Sequence, residues 1–326
     1  MLVAPRTHRR RMDLGRILYE CNDLTFPAGG VRRLYRHVEI LYRHGFDAYI
    51  LHHSEGHKNR WFQSFAPISY WNAKHKFSSE DVLVIPEGHV DIMRSARNLD
   101  CRVVVIALNW GNIFRNLRIG ESWRDFGIAA IIAGSQYEHD FILSTMGLES
   151  SVIVSGIDSD LFAPKEKMDC IVTCMPRKNP DYFHLIVSAF KAKFRHFNTV
   201  PFVSIDMRLH EEVAEILAAS SVFLAHTFPE GLSRKTLEAM ASGNIVVGFA
   251  GHGSLECMDH MINCYKAEDG DVLGAAEYLA TAIESVKSGS AEPMRLAARS
   301  TAAAYSLDRE ERTVLEFWNR FFSHSV

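Results

Sequence analysis

Short apolar runs alternate along this chain with longer segments whose apolar positions recur at a helical period. The runs show little alternation of apolar and polar residues, which is typical of parallel strands covered on both faces. A helix is predicted between most neighbouring runs, so the chain is expected to form α/β, doubly wound domains with parallel sheets. The predicted strands cover residues 15–21, 46–51, 81–86, 102–110, 128–135 and 152–154, and then 170–175, 202–206, 221–225 and 245–250.

Residues 226–243 join one predicted strand to the next through a Pro-Gly loop and a short helix, predicted over 232–242. The amides of Gly231, Leu232 and Ser233 lie at the predicted helix start. Unpaired N–H groups and the helix dipole favour an anion there. The sequence therefore predicts a phosphate-binding loop.

Two glutamates flank this predicted anion site. Glu230 lies in the loop, and Glu238 follows about two helical turns later. A carboxylate beside a phosphate site is explained if it meets sugar hydroxyls, which can each donate a hydrogen bond to it. One loop would then hold a diphosphate and the hydroxyls on either side, as a nucleotide-sugar site requires. The alternative is a pair of solvated glutamates on an ordinary surface helix.

The residues around both glutamates carry a family resemblance. Pro229-Glu230-Gly231, then Leu237-Glu238-Ala239-Met240-Ala241-Ser242-Gly243 and Val246-Val247-Gly248, resemble the retaining GT-B glycosyltransferases of group 1. The resemblance implies two Rossmann-like domains that face a cleft, and transfer of a hexosyl group from a nucleotide diphosphate sugar with retained configuration. It implies that Glu238 binds the ribose, and that Glu230 binds the sugar and supports the positively charged transition state.

Residues that follow two other predicted strands are further donor-binding candidates. Arg177 and Lys178 follow strand 170–175, where cations can clamp a diphosphate; relatives space these cations further apart, and the alternative is two exposed turn residues. Gly29 and Gly30 form a turn in the first βαβ unit that suits close approach of phosphate. The resemblance implies that such a loop meets the donor diphosphate.

The strand over 102–110 departs from the family pattern. Many relatives have a histidine near the reacting sugar where this chain has Asn109, and an amide cannot act as a general base. Asn109 is assigned to the catalytic site, and His89, after a neighbouring strand, to the acceptor side as a substitute. Front-face attack in a retaining transfer needs little from such a base, because the departing phosphate can take the acceptor proton.

The resemblance also suggests domain limits. Residues 1–160 are predicted as an N-terminal, acceptor-side domain and 161–306 as the nucleotide-sugar domain. The phrase at 155–162 resembles the family linker, and a proline and a charged run follow it. Residues 307–326 are predicted to form a terminal helix that packs back on the N-terminal domain, although its apolar stripe fits an ordinary core helix equally well.

Composition excludes some classes of function. A net charge of -3 over 326 residues implies no general affinity for nucleic acid. The apolar runs are too short for a membrane span, and the six cysteines lack metal-site spacing, so a cytoplasmic protein is expected. Basic residues in the N-terminal tail and in the helix over 31–44 predict either a solvated face or a peripheral contact with anionic lipid at the inner face of the membrane.

No cofactor and no metal are expected, because cations and helix amides can stabilise a diphosphate without one. His52 and His53 have no acidic or thiol partner at ligand spacing in the sequence. The expected partners are a nucleotide-sugar donor and a glycan, lipid-linked or small-molecule acceptor. Two alternatives stay open: a non-catalytic or degenerate nucleotide-sugar binder, and a related GT-B phosphorylase or epimerase.

Overall fold

The computed structural model describes residues 15–72, 76–165 and 170–323, and the chain divides into two compact units. The first comprises the chain up to Gly134, Glu138–Ile153 and the segment from Glu310 onward. The second comprises Ser135–Tyr137 and Val154–Arg309. The domain limits inferred from the sequence stay a prediction, and the arginines of the N-terminal tail lie outside the described residues.

In the described part of the chain, the first unit is built on seven parallel strands in the order β3-β2-β1-β4-β5-β6-β7. Helices pack on both faces of the sheet, as the lack of alternation in the strands predicts. The strands are β1 (Arg16–Cys21), β2 (Asp47–His52), β3 (Ile68–Tyr70), β4 (Val82–Pro86), β5 (Arg102–Ile106), β6 (Ala130–Ala133) and β7 (Ser151–Val152), and the helices are α1 (Gly29–Arg43), α2 (Val90–Ala96), α3 (Gln136–Met146) and α9 (Leu307–Ser323).

Two hydrophobic cores lie on the two faces of this sheet. Ile17 and Tyr19 of β1 face α1 and α9, where the Trp318 indole donates a hydrogen bond to the Tyr19 hydroxyl at 3.1 Å. Leu18 faces the opposite core, which contains the fully buried Trp123. Successive residues of one strand thus supply both cores, so the strand has no polar face to show in its sequence.

The second unit has five parallel strands among the described residues, in the order β12-β11-β10-β8-β9. The strands are β8 (Val172–Cys174), β9 (Phe202–Ser204), β10 (Val222–Ala225), β11 (Ile245–Phe249) and β12 (Cys264–Ala267). The helices are α4 (Pro180–Lys193), α5 (His210–Ala219), α6 (Arg234–Ala241), α7 (Val272–Ser288) and α8 (Glu292–Ala303). Two parallel-stranded α/β sheets confirm the predicted fold class.

Two short strands and several boundaries differ from the sequence prediction. Strand β5 ends at Ile106 rather than at residue 110, and α1 begins at Gly29 rather than at residue 31. Strands β3 and β12 were not predicted, because each is a short edge strand with polar residues in it. Helix α6 begins at Arg234 rather than Leu232. Ser233 is its N-cap, and the Ser233 side chain accepts a hydrogen bond from the amide of Thr236.

The basic residues of α1 are used inside the first unit. Arg33 is buried and donates hydrogen bonds to the carbonyls of Ala107 and Ile153. Arg43 Nη2 lies 2.9 Å from a carboxylate oxygen of Glu311, on α9. The predicted solvated face is therefore wrong for Arg33. Among the described residues, no helix combines the length and the apolar character needed to cross a membrane.

Candidate functional site

The second sheet has a topological switch point between β8 and β10, where ligands of doubly wound proteins bind at the carboxyl ends of the strands. The loop after β8 carries Arg177 and Lys178. The loop after β10 carries Glu230. The Asn179 side chain joins the two loops by donating a hydrogen bond to the carbonyl of Phe228 at 3.0 Å. The strand order alone thus explains why residues fifty positions apart meet.

Two lysines hold the Glu230 carboxylate. Lys178 Nζ lies 2.6 Å from Glu230 Oε1, and Lys235 Nζ lies 3.4 Å from Oε2. Lys235 also donates to the Thr227 hydroxyl at 2.6 Å. Burial alone would raise the pKa of Glu230, but the two ammonium groups outweigh it and hold that pKa below its ordinary value. Glu230 is therefore an anion, and the three side chains together carry one net positive charge.

Backbone hydrogen bonds fix the position of Glu230. Its amide donates to the carbonyl of Gly251 and its carbonyl accepts from the amide of Gly253, both at 3.1 Å. A Cβ on Gly253 would lie 2.3 Å from the carbonyl carbon of Gly231, so no other residue fits there without moving the loop. Gly251 has φ +63°, a conformation that favours glycine. The loop after β11 thus supports the loop after β10.

The three predicted phosphate-binding amides are not equivalent. The Ser233 amide donates to the Ser254 hydroxyl at 2.9 Å, so the prediction that it is open to a phosphate is wrong. The amides of Gly231 and Leu232 make no hydrogen bond within residues 15–72, 76–165 and 170–323. These two amides precede α6, and their binding of an anion stays a prediction.

The other donor-binding candidates of the second unit lie nearby but have different partners. Glu238 is 6% exposed, and its Oε1 lies 3.4 Å from Arg234 Nη2 one turn earlier on α6. Arg177 Nε lies 3.7 Å from Asp206 Oδ1, and both side chains are exposed. The structure therefore brings Lys178 to Glu230, whereas Arg177 pairs elsewhere.

Sequence reasoning missed Lys235. Its charge in the first turn of a helix resembles that of any exposed lysine, yet its side chain is only 17% exposed. Burial lowers the pKa of Lys235 below its usual value, and the Glu230 carboxylate opposes that shift. The available signal was spacing: Glu230 lies in the loop before α6, and Lys235 is five residues later, on the first turn of that helix.

The first sheet has its own switch point, between β1 and β4. Glu20, fully buried near the end of β1, accepts hydrogen bonds from His53 Nε2 at 2.6 Å and from His89 Nδ1. Asn22 Nδ2 lies 2.8 Å from His89 Nε2, so that nitrogen is the acceptor. Burial would raise the pKa of Glu20, but the two histidines lower it below its ordinary value. His89 was predicted; Glu20 was missed.

Two of the remaining first-unit candidates, Asn109 and Gly30, have structural roles that the sequence did not show. Asn109 is buried, and its Oδ1 accepts from the Gly111 amide at 3.0 Å, which caps a short 3-10 turn. Gly29 and Gly30 are the first residues of α1. A Cβ on Gly29 would meet nothing within 4 Å, whereas one on Gly30 would lie 3.0 Å from Leu108 Cδ1. Of these two glycines, only Gly30 packs closely enough against another residue to explain why a glycine is found there.

Known proteins share this fold and part of this sequence. Residues 187–285 match the family model described as Glycosyl transferases group 1. An alpha-1,6-glucosyltransferase of Actinobacillus pleuropneumoniae is 27% identical over 253 residues, which cover 74% of each chain. The crystal structure of Anabaena HepE in complex with UDP-glucose superposes with a TM-score of 0.73 at 16% identity, covering 94% of this chain and 99% of that one.

A glycosyltransferase from Rickettsia africae gives a TM-score of 0.70 at 14% identity, over 95% of this chain and 99% of the other. These likenesses define the fold as GT-B. The sequence matches add a similarity to the group 1 glycosyltransferases, through the family model over residues 187–285 and the Actinobacillus relative. The resemblance that the residues around Glu230 and Glu238 indicate is thereby confirmed.

Proposed function

We propose that this glycosyltransferase is a retaining enzyme of the hexosyltransferase type, which moves a sugar from a nucleotide diphosphate sugar to a glycan, lipid-linked or small-molecule acceptor. The observation that carries the proposal is the group formed by Lys178, Glu230 and Lys235 at the switch point of the second sheet. It places a carboxylate and a net positive charge together. Those are the two features that a sugar diphosphate needs.

The charges suit the leaving group. Lys178 and Lys235 can neutralise the diphosphate as the glycosidic bond breaks, while the Gly231 and Leu232 amides donate hydrogen bonds to its oxygens. Glu230 keeps lone pairs beyond those that face the lysines, since a carboxylate offers about four acceptor sites. It can therefore accept hydrogen bonds from the sugar hydroxyls and stabilise the positive charge that develops at the anomeric carbon.

In the proposed reaction the bond between the anomeric carbon and the diphosphate oxygen breaks, and a bond to the acceptor oxygen forms on the same face of the sugar. The departing diphosphate takes the acceptor proton, so no protein base is required. Glu238 is assigned to the ribose hydroxyls and Arg177 to the diphosphate. From the first unit, Gly29 and Gly30 are assigned to the donor, Asn109 to the catalytic site and His89 to the acceptor side.

UDP-glucose is the first donor to test, because the Anabaena neighbour binds it and the Actinobacillus relative is a glucosyltransferase. Purified protein should release UDP from UDP-glucose slowly in water and faster with an acceptor. Glu230→Gln should lower turnover by about 100-fold or more, as loss of a charge-stabilising group does. Glu238→Ala should weaken donor binding more than it lowers turnover.

The matched control is Glu211→Gln, an exposed glutamate on α5 that should change neither quantity. NMR of the product fixes the anomeric configuration, and an inverted product would refute the retaining mechanism. Unchanged kinetics in both Glu230→Gln and Glu238→Ala would refute the proposed site. Turnover that requires free phosphate would identify a phosphorylase, and donor binding without any turnover a non-catalytic binder.

We also propose that the donor diphosphate is held without a metal ion. Two lysines and two loop amides supply the positive partners that Mg²⁺ supplies in other phosphate sites. Turnover should then be unchanged by added Mg²⁺ or Mn²⁺. An increase of more than about 10-fold on adding either ion would contradict this, since a required metal contributes several kcal/mol to catalysis.

A further inference from the structure

Three metal-ligating side chains converge in the first unit, apart from the glutamate–histidine group at the switch point. Asp23 follows β1, His52 ends β2 and His57 lies in the loop after β2. One donor atom from each lies within 4.8 Å of the others. The sequence separates Asp23 from the histidines, so no ligand pattern is visible in it. The fold brings them together because β1 and β2 are adjacent and parallel.

His52 is held on both sides of its ring. Its Nε2 lies 2.7 Å from the Tyr35 hydroxyl, and its Nδ1 lies 2.8 Å from Asp23 Oδ1. Nδ1 also lies 3.2 Å from the carbonyl oxygen of Cys21, so in the metal-free chain Nδ1 carries the proton and donates it to these oxygens, while the Tyr35 hydroxyl donates to Nε2. A metal ion would displace the Nδ1 proton, and Nε2–H would then donate to Tyr35. Metal-binding histidines usually donate their second N–H to such an outer partner.

The Asp23 carboxylate is fixed independently of any ion. The Ser54 amide donates to Oδ2 at 2.7 Å and the His53 amide to Oδ1 at 3.2 Å. Its side chain remains 18% exposed. The carboxylate is thus oriented toward His52 while solvent can still reach the group.

His57 supplies a second, independent observation. Its Nε2 is buried and has no hydrogen-bond partner among the described residues. Its ring centroid lies 4.5 Å from that of His52. Buried polar atoms are usually hydrogen-bonded, so this nitrogen, beside two potential ligands, is available to a cation. The spacing of His52 and His57 lies within the range common in zinc sites.

We propose that the Asp23 carboxylate and one ring nitrogen each from His52 and His57 bind a divalent transition-metal ion, Zn²⁺ by ligand chemistry. Two imidazoles select against Mg²⁺ and Ca²⁺, which prefer oxygen ligands. Ideal tetrahedral bonds of about 2.1 Å put donor atoms about 3.4 Å apart. One donor atom of each residue already lies within 4.8 Å of the others, so small shifts of the side chains bring them to this spacing, and water completes the coordination. The ion ties the loop after β1 to the loop after β2, whatever the protein's substrate.

The test uses the full chain, stripped with EDTA, loaded with Zn²⁺ alone and desalted. Elemental analysis should give about one Zn²⁺ per chain, and a chelator competition gives the affinity. Loss of an outer-shell partner typically weakens metal binding about 10–100-fold. His57→Ala removes a ligand and should weaken Zn²⁺ binding by more than that. His53→Ala is the matched control. It removes the adjacent imidazole but keeps the amide that holds Asp23, and should bind Zn²⁺ as the unchanged chain does.

A second variant guards against a folding effect. Asp23→Asn keeps the size of the side chain and one oxygen, which can accept from the Ser54 amide, but loses the charge and the second oxygen, so it should fold with an unchanged circular dichroism spectrum and still lose Zn²⁺. Co²⁺ loading should give visible d–d bands that disappear in the same variants. Less than about a tenth of an equivalent bound at a two-fold excess of Zn²⁺ would overturn the site, as would one equivalent bound unchanged in His57→Ala and Asp23→Asn.

Discussion

The two sheets carry the same arrangement at their switch points: a carboxylate between two basic side chains. In the first unit Glu20 is fully buried between His53 and His89. In the second, Glu230 is 16% exposed between two lysines. The difference lies in the basic partners. Lysines stay charged at neutral pH, whereas histidines lose their proton close to it.

This contrast separates two kinds of chemistry on one fold. The lysine group has a fixed positive charge, which suits an anion such as a diphosphate. The histidine group offers ring nitrogens that can donate or accept a hydrogen bond, which suits binding of a neutral hydroxyl. Doubly wound topology delivers polar residues to both switch points, but side-chain identity decides which ligand each can serve.

The largest expected effect comes from breaking the support of Glu230. In Gly253→Ala the new Cβ would lie 2.3 Å from the carbonyl carbon of Gly231 and 2.6 Å from its Cα, so backbone must move. We expect a loss of about 3 kcal/mol in the free energy of unfolding, as severe overpacking costs, together with loss of donor binding. Urea denaturation and calorimetric titration with UDP-glucose measure the two.

Gly88→Ala is the matched control, because a Cβ there meets nothing within 4 Å. It should leave the free energy of unfolding within about 0.5 kcal/mol of the unchanged chain. If Gly253→Ala were equally mild, Glu230 would not depend on the loop after β11, and the account of how the second switch point is built would be wrong.

The next effect distinguishes the two lysines. Lys235 is largely buried and Lys178 is about half exposed, with 17% and 48% of the side chains accessible. Lys235→Met should cost about 2–3 kcal/mol of stability, approaching the cost of removing one partner of a buried ion pair. Lys178→Met should cost less than about 1 kcal/mol, as exposed pairs do. Both should weaken diphosphate binding.

Urea denaturation of both variants, with UDP titrations, checks this division. Arg208→Met provides a comparison, since Arg208 forms an exposed pair with Glu212 on α5 and should change stability little. Equal stability losses for Lys178→Met and Lys235→Met would mean that burial does not separate their roles.

A smaller effect should appear only in one range of pH. Hydrogen bonding to Glu20 raises the pKa of His53, and the histidines hold the pKa of Glu20 below its ordinary value despite its burial. A raised histidine pKa stabilises the fold below about pH 6.5, and this stabilisation is lost as pH rises through the folded value. A lowered carboxyl pKa stabilises above about pH 4.5 and is lost as pH falls.

The stability difference between the unchanged chain and Glu20→Gln should therefore be largest between about pH 4.5 and 6.5, at about 1–2 kcal/mol. It should decline above that range as His53 loses its proton. The corresponding difference for Glu230→Gln should stay flat from about pH 6 to 7, because both lysines keep their proton there. It should decline only at higher pH, since burial lowers the pKa of Lys235. Parallel pH profiles for the two variants would remove the distinction between the units.

Much of the second switch point could be predicted from sequence, and little of the first. Pro229, Glu230 and Gly231 stand together in a loop between two apolar strands, so local pattern reveals the site. Glu20 is embedded in the apolar strand β1, and its partners His53 and His89 lie 33 and 69 residues away. Strand order brings them together, and no local spacing encodes it. For the same reason, the sequence does not show that Asp23 lies beside His52 and His57 of the proposed metal site.

The smallest expected effect tests whether a glycine is kept for a ligand or for the fold. Gly29→Ala meets no atom of the chain within 4 Å and lies at the first position of α1. It should leave stability unchanged or raise it by about 0.5 kcal/mol, through lower entropy of the unfolded chain. Gly30→Ala, whose Cβ lies 3.0 Å from Leu108 Cδ1, should be neutral to slightly destabilising.

If Gly29 admits a phosphate to the start of α1, as proposed, Gly29→Ala should weaken UDP-glucose binding several-fold although the protein is no less stable. Thermal unfolding and a donor titration on the same sample separate the two quantities. Unchanged donor affinity would remove Gly29 from the donor site. The fixed charges of the second unit would then remain as the anion-binding part of the proposal, because a switch point needs unpaired donors or cations, and not only an open turn, to bind a diphosphate.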